Sequence, residues 1–228
     1  MSSGSDNDFP MLRFRISFVS SWKIEICPPL LIATTNPGKL EEISGILAGV
    51  PVTLLTLNDR EPIAEPEETG STFADNARLK ARYYSGATGL PSVADDSGLE
   101  IAALDNAPGV HSARWHGSDY PEKFRKVQEL FRERGVTGSA ARFVCHIAVA
   151  QGNRIVFEAE GTIEGEIVPQ PRGTNGFGYD PIFFYPPLGR TLAELEPEQK
   201  STVSHRGKAF AALRAHLLAH AEVFTGEE

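Results

Sequence analysis

The stretch Pro91-Ser92-Val93-Ala94-Asp95-Asp96-Ser97-Gly98-Leu99 carries the strongest signal for the fold. Its apolar pair Val93-Ala94 indicates the end of a buried strand, and two carboxylates and the turn residues Ser97 and Gly98 follow at once. In an open α/β sheet, functional groups gather just beyond the carboxyl ends of the strands. Because neighbouring side chains on an extended segment point to opposite faces, one aspartate can face a cleft while the other braces the turn. A turn without any chemistry is the alternative for these residues taken alone.

The composition is ordinary for a globular protein: of 228 residues, 41% are hydrophobic and 23% are charged. This length suffices for one large domain or for two lobes that share a core. The net charge of −8 argues against a general nucleic-acid or membrane-surface binder, which needs a basic face. The two cysteines, Cys27 and Cys145, match no metal or disulfide spacing, so we expect a reducing compartment, the cytoplasm.

Residues 1–29 differ from the rest, and we expect an N-terminal extension of uncertain structure ahead of a single domain over residues 30–228. Residues 1–8 are rich in Ser, Asp and Asn, a composition typical of disorder. Charged residues interrupt the apolar ones over 11–26, which disfavours a signal peptide and a transmembrane span. An extra edge strand, an unstructured extension and a start codon assigned too early, with Met11 as the alternative start, all stay open.

The segment after residue 29 predicts a strand, a polar loop and a helix. Leu30–Ala33 suits a buried parallel strand, and an apolar face with helical spacing begins at Leu40. Asn36 can cap this helix. Lys39 in the first turn opposes the helix dipole, which is better explained if an anion also binds there. The loop is not a Walker A motif, so phosphate binding and a plain capped turn both stay open.

The remaining segments predict further strands and helices. Strands are expected over 52–55, 141–150, 154–162 and 181–185, with another near 163–168. Helices are expected over about 72–85 with Ser71 as the cap, over 121–134, and from Ser204 to about His220. An acidic loop over 58–70 precedes the first of these helices and is most simply a solvated surface. On that helix Asn76 and Lys80 share one face, so Lys80 either lines the cleft or faces solvent.

Two further features suggest a ligand. Residues 171–180 form a glycine-rich loop that is not a dinucleotide fingerprint, and a flat base could stack on Phe177 or Tyr179 there. Aromatic packing within the loop is the alternative. The last helix starts with His205, Arg206 and Lys208, a second cationic helix start in a chain of negative net charge. Two such starts make anion binding at a shared site the better interpretation.

Carboxylates beside an anion site require a divalent cation, and Mg²⁺ binds through one or two carboxylates plus substrate phosphates. A flat ring with several phosphates is most simply a nucleoside triphosphate. No histidine-rich cluster suits zinc, and no GxSxG elbow supports a serine nucleophile.

In this combination the chain resembles the inosine/xanthosine triphosphate pyrophosphatase family, the Ham1-like enzymes. The matching motifs stand in family order over roughly residues 30–220. They are Thr34-Thr35-Asn36-Pro37-Gly38-Lys39, Glu68-Thr69-Gly70 with Thr72-Phe73 and Asn76, Ala94-Asp95-Asp96-Ser97-Gly98-Leu99, Pro108-Gly109-Val110 with Ser112-Ala113-Arg114, Gly176-Phe177-Gly178-Tyr179-Asp180-Pro181-Ile182-Phe183, Lys200, and Ser204-His205-Arg206. The N-terminal extension is outside this resemblance.

The resemblance implies an elongated, two-lobed α/β fold with a mixed sheet, an active site in the central groove and a homodimeric assembly. It implies Mg²⁺-dependent hydrolysis of ITP, dITP and XTP to the monophosphate and pyrophosphate. Asp96 would be the general base, and Asp96 and Glu68 would hold the metal. Phosphate contacts would come from Thr34, Thr35, Asn36, Pro37, Gly38, Lys39 and Lys80. Contacts to base, sugar or phosphate would come from Ser97, Phe177, Gly178, Tyr179, Asp180, Lys200, His205 and Arg206.

Three alternatives stay open. A regulator with this fold would bind nucleotide and Mg²⁺ without turnover. A pyrophosphatase for another nucleotide, such as a modified pyrimidine, would differ only in its substrate. A purely structural protein would leave both cationic helix starts unexplained.

Overall fold

The computed structural model describes residues 16–17 and 25–220, and its centre is a seven-stranded mixed sheet. The strand order is β4-β3-β5-β6-β7-β8-β9; β3 runs parallel to β4 and to β5, and the other neighbours are antiparallel. The bounds are β3 Pro29–Ile32, β4 Thr53–Thr56, β5 Ser92–Ile101, β6 Ser139–Gln151, β7 Arg154–Ile167, β8 Phe183–Tyr185 and β9 Arg190–Thr191. Separately, β1 (Ile16–Ser17) pairs with β2 (Glu25–Ile26). The expectation for residues 1–29 otherwise lies outside the described residues.

Five helices accompany the sheet: α1 Pro37–Ile46, α2 Phe73–Thr88, α3 Tyr120–Glu133, α4 Pro197–Val203 and α5 His205–Ala219. Alternate side chains of the central strands pack against different helices. Val93 joins a core with α1 and α5, whereas Ala94 joins a core with α2. Farther along the long strands, Leu99 and Ile101 pack with α3 in a third apolar cluster. The mixed α/β sheet with apolar clusters at both ends of its long strands agrees with the expected fold class.

Most predicted elements are confirmed. The strand from Leu30, the helix capped by Asn36 and the helix over 121–134 are present within a few residues. The predicted strands over 154–162 and 163–168 are one continuous strand, β7. The α2 cap is Thr72 rather than Ser71, because the Thr72 hydroxyl accepts from the backbone N–H of Asp75.

The largest correction concerns the decisive stretch itself. The strand does not end at Ala94: β5 continues through both aspartates and Ser97-Gly98 to Ile101. Its residues pair in unbroken antiparallel register with β6, from Ser92 opposite Ala150 to Ile101 opposite Ala141. This pairing overrides the local turn preference of Asp-Asp-Ser-Gly. Within the described chain, no helix is long and apolar enough to cross a membrane.

Candidate active site

The two aspartates of β5 define the site because they project from opposite faces of the sheet, as their alternation predicts. Asp95 faces α1 and α5, where it meets Lys39 and Arg206. Asp96 faces α2, where it meets Lys80 and Asn76. The prediction that one aspartate faces a cleft while the other braces a turn is wrong in its second part, because β5 continues through both residues in unbroken pairing with β6.

Asp95 anchors the two cationic helix starts. Its Oδ2 lies 2.9 Å from Lys39 Nζ and 3.5 Å from Arg206 Nη2. Burial alone raises the pKa of Asp95, but the charges of Lys39, Arg206 and Lys80 outweigh it and hold that pKa well below its usual range. Asp95 is therefore a fixed negative charge that places these cations.

Asp96 is surrounded by groups with opposing effects on its charge. Its Oδ1 is 3.0 Å from Lys80 Nζ, and its Oδ2 accepts from Asn76 Nδ2 at 3.1 Å. Burial and the nearby charge of Glu68 raise the pKa of Asp96 above its usual value, although Lys80 and Asn76 oppose the shift. A carboxylate with a raised pKa, oriented by an amide, is suited to accept a proton.

Glu68 comes from the loop before α2 and completes this side. Its Oε1 is 2.8 Å from Lys80 Nζ, and its Oε2 is 2.8 Å from Arg114 Nη1. Burial opposes ionisation of Glu68, but Lys80 and Arg114 together lower its pKa. Despite burial, the carboxylates raise the pKa of Lys80, so its ammonium is charged. Lys80 therefore lines the cleft rather than facing solvent.

The carboxylates of Glu68 and Asp96 converge on one point, where the Lys80 ammonium lies. Hard oxygen donors converging in this way fit Mg²⁺, which takes its remaining ligands from water and phosphate. Among residues 27–220 no group of three or more acidic, histidine or cysteine side chains offers a fuller ligand set. The donor set therefore fits an ion bound together with a triphosphate.

Only part of the loop before α1 and of its first turn lies in the site. Thr34, Thr35, Asn36 and Lys39 line a cavity that also contains Glu68 and Lys80. The Thr35 hydroxyl donates to Glu65 at 2.5 Å, which ties this loop to the acidic loop. Pro37 opens α1, and Gly38 lies against the Phe177 ring, where a Cβ would come within 2.6 Å.

The two aromatic residues of the glycine-rich loop differ in their surroundings. Tyr179 is buried and its hydroxyl donates to the Ser112 carbonyl at 3.2 Å, so the packing alternative holds for it. Phe177 is half-buried in a second cavity, beneath the cations of Lys200 and Arg206, which lie 4.6 and 5.4 Å from its ring centroid. Gly178 lines the same cavity. Asp180 is buried, and its Oδ2 accepts from the Phe177 N–H at 2.9 Å.

Glu42 holds the cations of this second cavity. Its carboxylate oxygens lie 2.5 Å from Lys200 Nζ and 2.6 Å from Arg206 Nη1. Lys200 also contacts Asp180 at 2.6 Å, and Arg206 also donates to Ser97 Oγ at 3.0 Å. Glu42 was not predicted from the sequence, although its position one turn beyond Lys39 on α1 was an available signal.

His205 and Arg206 each bring an unused buried polar atom to this cavity. His205 stacks on Phe143, with ring centroids 4.7 Å apart, and its Nδ1 has no hydrogen-bond partner among the described residues. Arg206 Nε is likewise unpaired there. Burial and the charge of Arg206 hold the pKa of His205 well below its usual value, so the imidazole is neutral. Buried polar atoms of this kind are normally satisfied, which points to a ligand.

The two cavities meet beside the aspartates, since Asn36, Lys39, Glu68 and Ala113 line both. The groove thus has a cationic and acidic end at Lys80 and an aromatic end at Phe177. Of the predicted site residues, all but Pro37 and Gly38 line one of these two cavities.

Comparison with known proteins agrees with this geometry. Residues 30–216 match the family model described as the Ham1 family. The chain is 48% identical over 197 residues to a dITP/XTP pyrophosphatase of Geobacter sulfurreducens, covering 82% of this chain and 96% of that protein. A HAM1 protein structure from Coxiella burnetii superposes with a TM-score of 0.78 at 41% identity, covering 84% of this chain and 99% of the other. A dITP/XTP pyrophosphatase structure from Mycobacterium abscessus gives 0.62 at 43% identity, covering 81% and 97%. The chain belongs to the Ham1 family.

Proposed function

We propose that the protein hydrolyses the deaminated purine nucleoside triphosphates ITP, dITP and XTP to the monophosphate and pyrophosphate, removing them from the nucleotide pool. The observation that carries this proposal is the groove itself. In it Asp96, the general-base candidate, is paired with Lys80 at the cationic end, and Phe177 forms the aromatic end. The relatives named dITP/XTP pyrophosphatase support the same reaction.

Asp96 is the general base of this proposal. A water held by its carboxylate attacks the α-phosphorus, its proton passes to Asp96, and the bond from that phosphorus to the bridging oxygen breaks to release pyrophosphate. Asn76 orients the Asp96 carboxylate by donating to Oδ2. Lys39 and Lys80 stabilise the charge on the phosphate oxygens. Asp95 keeps Lys39 in place through their 2.9 Å ion pair.

Glu68 and Asp96 are the residues proposed to hold Mg²⁺. When bound, the ion neutralises phosphate charge and lowers the pKa of water in its coordination shell, so that a carboxylate suffices as base. Thr34, Thr35 and Asn36 bind phosphate oxygens at the cationic end of the groove.

Base selection belongs to the aromatic end. Phe177 stacks on the purine, and the unpaired atoms of His205 and Arg206 are candidate partners of its 6-position. A 6-keto oxygen accepts hydrogen bonds, whereas the amino group of adenine donates them. Buried donors facing that amino group would leave both partners unsatisfied, which disfavours ATP.

Product analysis tests the reaction type. Incubation with ITP should yield IMP and pyrophosphate in equal amounts. Formation of IDP and inorganic phosphate would contradict attack at the α-phosphorus.

We also infer a homodimer that acts in the cytoplasm on a small-molecule substrate, without a nucleic-acid or membrane partner. The family resemblance supports the dimer, and the unpaired Cys27 and Cys145 support a reducing compartment. The net charge of −8 disfavours nucleic acid as a partner. Light scattering on the eluting protein should give twice the chain mass, and the mass of one chain would refute the dimer.

A further inference from the structure

Lys123 is a buried lysine for which the proposed reaction has no use. It is the fourth residue of α3, and its side chain is fully buried. Its ammonium donates to the carbonyl oxygens of Ser112 at 3.1 Å and Ala113 at 2.7 Å, and lies 4.4 Å from the Tyr120 ring centroid. No carboxylate of the described chain lies within ion-pair distance of it. A fully buried lysine ordinarily has an acidic partner, so this arrangement is unusual.

The two carbonyls that Lys123 holds belong to the wall of the groove. Ser112 lines the aromatic cavity, and Ala113 lines both cavities where they meet. Ser112 is further fixed by the backbone N–H of Leu99, which donates to its hydroxyl at 2.9 Å, and by the Tyr179 hydroxyl, which donates to its carbonyl. Ala113 receives no side-chain hydrogen bond other than that of Lys123 in the described part of the chain.

Arg114 follows Ala113 directly and reaches the other end of the groove. Its guanidinium donates to Glu68 Oε2 at 2.8 Å, while Glu68 Oε1 and Asp96 Oδ1 share the Lys80 ammonium. Arg114 is itself half-exposed, with 51% of its side-chain surface accessible, so its own packing fixes it weakly. The Arg114 backbone N–H donates to the His111 carbonyl at 3.0 Å, and its guanidinium lies 3.2 Å from His111 Nδ1. The position from which Arg114 reaches Glu68 is therefore set by His111 together with the backbone that Lys123 holds.

We propose that Lys123 is a positioning residue, whose ammonium fixes the Ser112–Ala113 backbone and thereby aims Arg114 at Glu68. This inference rests on the proposed function, because Glu68 matters there as a ligand of Mg²⁺. Lys123 touches neither the groove nor the reacting atoms. Its influence on the reaction passes through Arg114, which distinguishes it from a lysine that only stabilises α3.

The test compares Lys123→Met with Lys126→Met, a matched change on the same helix at a lysine that pairs with Glu129 on the surface. Lys123→Met keeps the apolar stem and removes the ammonium with its two hydrogen bonds to Ser112 and Ala113. We expect kcat/KM for ITP with Mg²⁺ to fall about ten- to hundredfold, the usual loss when a residue behind a ligand is removed. Lys126→Met should stay within about twofold of the unmodified protein.

A double-mutant cycle with Arg114→Met separates positioning from stability. If Lys123 acts through Arg114, the double variant should be only about as impaired as Arg114→Met alone. Losses that multiply fully, or a Lys123→Met protein that melts at a lower temperature yet keeps its kcat/KM, would overturn the proposal. If Lys123→Met does not fold, Lys123→Gln, which keeps a polar group but removes the charge and the ammonium, takes its place in the same cycle.

The dissociation constant of Mg²⁺-ITP, measured by calorimetry, separates this inference from the proposed function. An unmodified protein that binds ITP but releases no pyrophosphate refutes the proposed reaction, and the cycle is then run on binding with the same expected pattern. An unmodified protein that neither binds nor hydrolyses ITP, dITP or XTP refutes both.

Discussion

At the scale of single residues, Asp96 should separate chemistry from binding. Asp96→Asn keeps the size of the side chain and its partner Asn76 but removes the proton acceptor. We expect kcat with ITP at saturating Mg²⁺ to fall about a thousandfold or more, while the dissociation constant of ITP measured without Mg²⁺ changes only a few-fold. Asp75→Asn, at an exposed position on the same side of the sheet, is the control. Loss of binding with normal turnover at saturation would contradict the assigned role.

The neighbouring glutamates of the acidic loop offer a matched pair. Glu68 contacts Lys80 and Arg114, whereas Glu67 is exposed and forms no ion pair with any described residue. Glu68→Gln should raise the Mg²⁺ concentration for half-maximal activity by about tenfold or more, because it removes a proposed ligand. Glu67→Gln should leave that concentration within about twofold. A Mg²⁺ titration of both variants tests this assignment. Equal shifts in the two variants would contradict Glu68 as the metal contact.

Replacement of Asp95 should instead change the stability of the fold. Asp95→Asn leaves the buried Arg206 with one fewer anion and should lower the free energy of unfolding by about 3 kcal/mol at pH 7. The folded state depresses the pKa of Asp95, so its contribution is full above the unfolded pKa of about 3.9 and declines as the pH falls from there toward the lower folded pKa. Urea unfolding from pH 7 to pH 3 should show the gap between the variant and the unmodified protein narrowing at the acid end. A constant gap across this range would contradict the ionised pair.

Residue types and motif order were predictable from the sequence, but their partners were not. Lys39 and Arg206 stood out because their positive charges lie at helix N-termini, where they oppose the helix dipole. Lys80 stood out because it shares a helix face with Asn76. Their actual counterions depend on chain segments far away, as in the pairing of Arg206 with Glu42, 164 residues apart. Local spacing contains no information on such contacts, which only the assembled sheet creates.

At the scale of elements, sequence patterns predicted most helices and strands, but they placed the end of the central strand β5 too early. Val93 and Ala94 look like a strand end because Asp, Ser and Gly favour turns. In the structure, β6 supplies a partner for every residue of β5 through Ile101. Helix α4 was not predicted because its seven residues, Pro197–Val203, are too few for an apolar stripe to show.

The start of α5 depends on close packing against the sheet. A Cβ at Gly161 in β7 would lie against the His205 carbonyl oxygen and the Ala209 nitrogen, both backbone atoms that cannot yield easily. Gly161→Ala should therefore destabilise the protein by about 1–3 kcal/mol and weaken ITP binding, since His205 and Arg206 shift with α5. Gly45→Ala in α1 meets no atom within 4 Å and should stabilise by about 0.5–1 kcal/mol. Unfolding curves and calorimetry check both changes, and unaltered binding in Gly161→Ala would contradict this dependence.

At the scale of the whole molecule, strand β5 places two neighbouring aspartates with different partners on opposite faces of the sheet. The α1 and α5 face carries the fixed ion pairs of Asp95, and the α2 face carries Asp96, the proposed proton acceptor, with Lys80. The groove joins these to Phe177, so a ligand that fills it needs both an aromatic ring and a chain of phosphates. This requirement links the fold to nucleoside triphosphates.

The most direct test of the central claim is pyrophosphate release from ITP, dITP, XTP, GTP and ATP, each with and without Mg²⁺. We expect release from ITP, dITP and XTP that requires Mg²⁺, with ATP far slower because its 6-amino group does not match the donors of the groove. Binding of these nucleotides without any release would contradict the claim and favour a regulator. Release confined to another nucleotide would retain the chemistry and refute the assigned substrate.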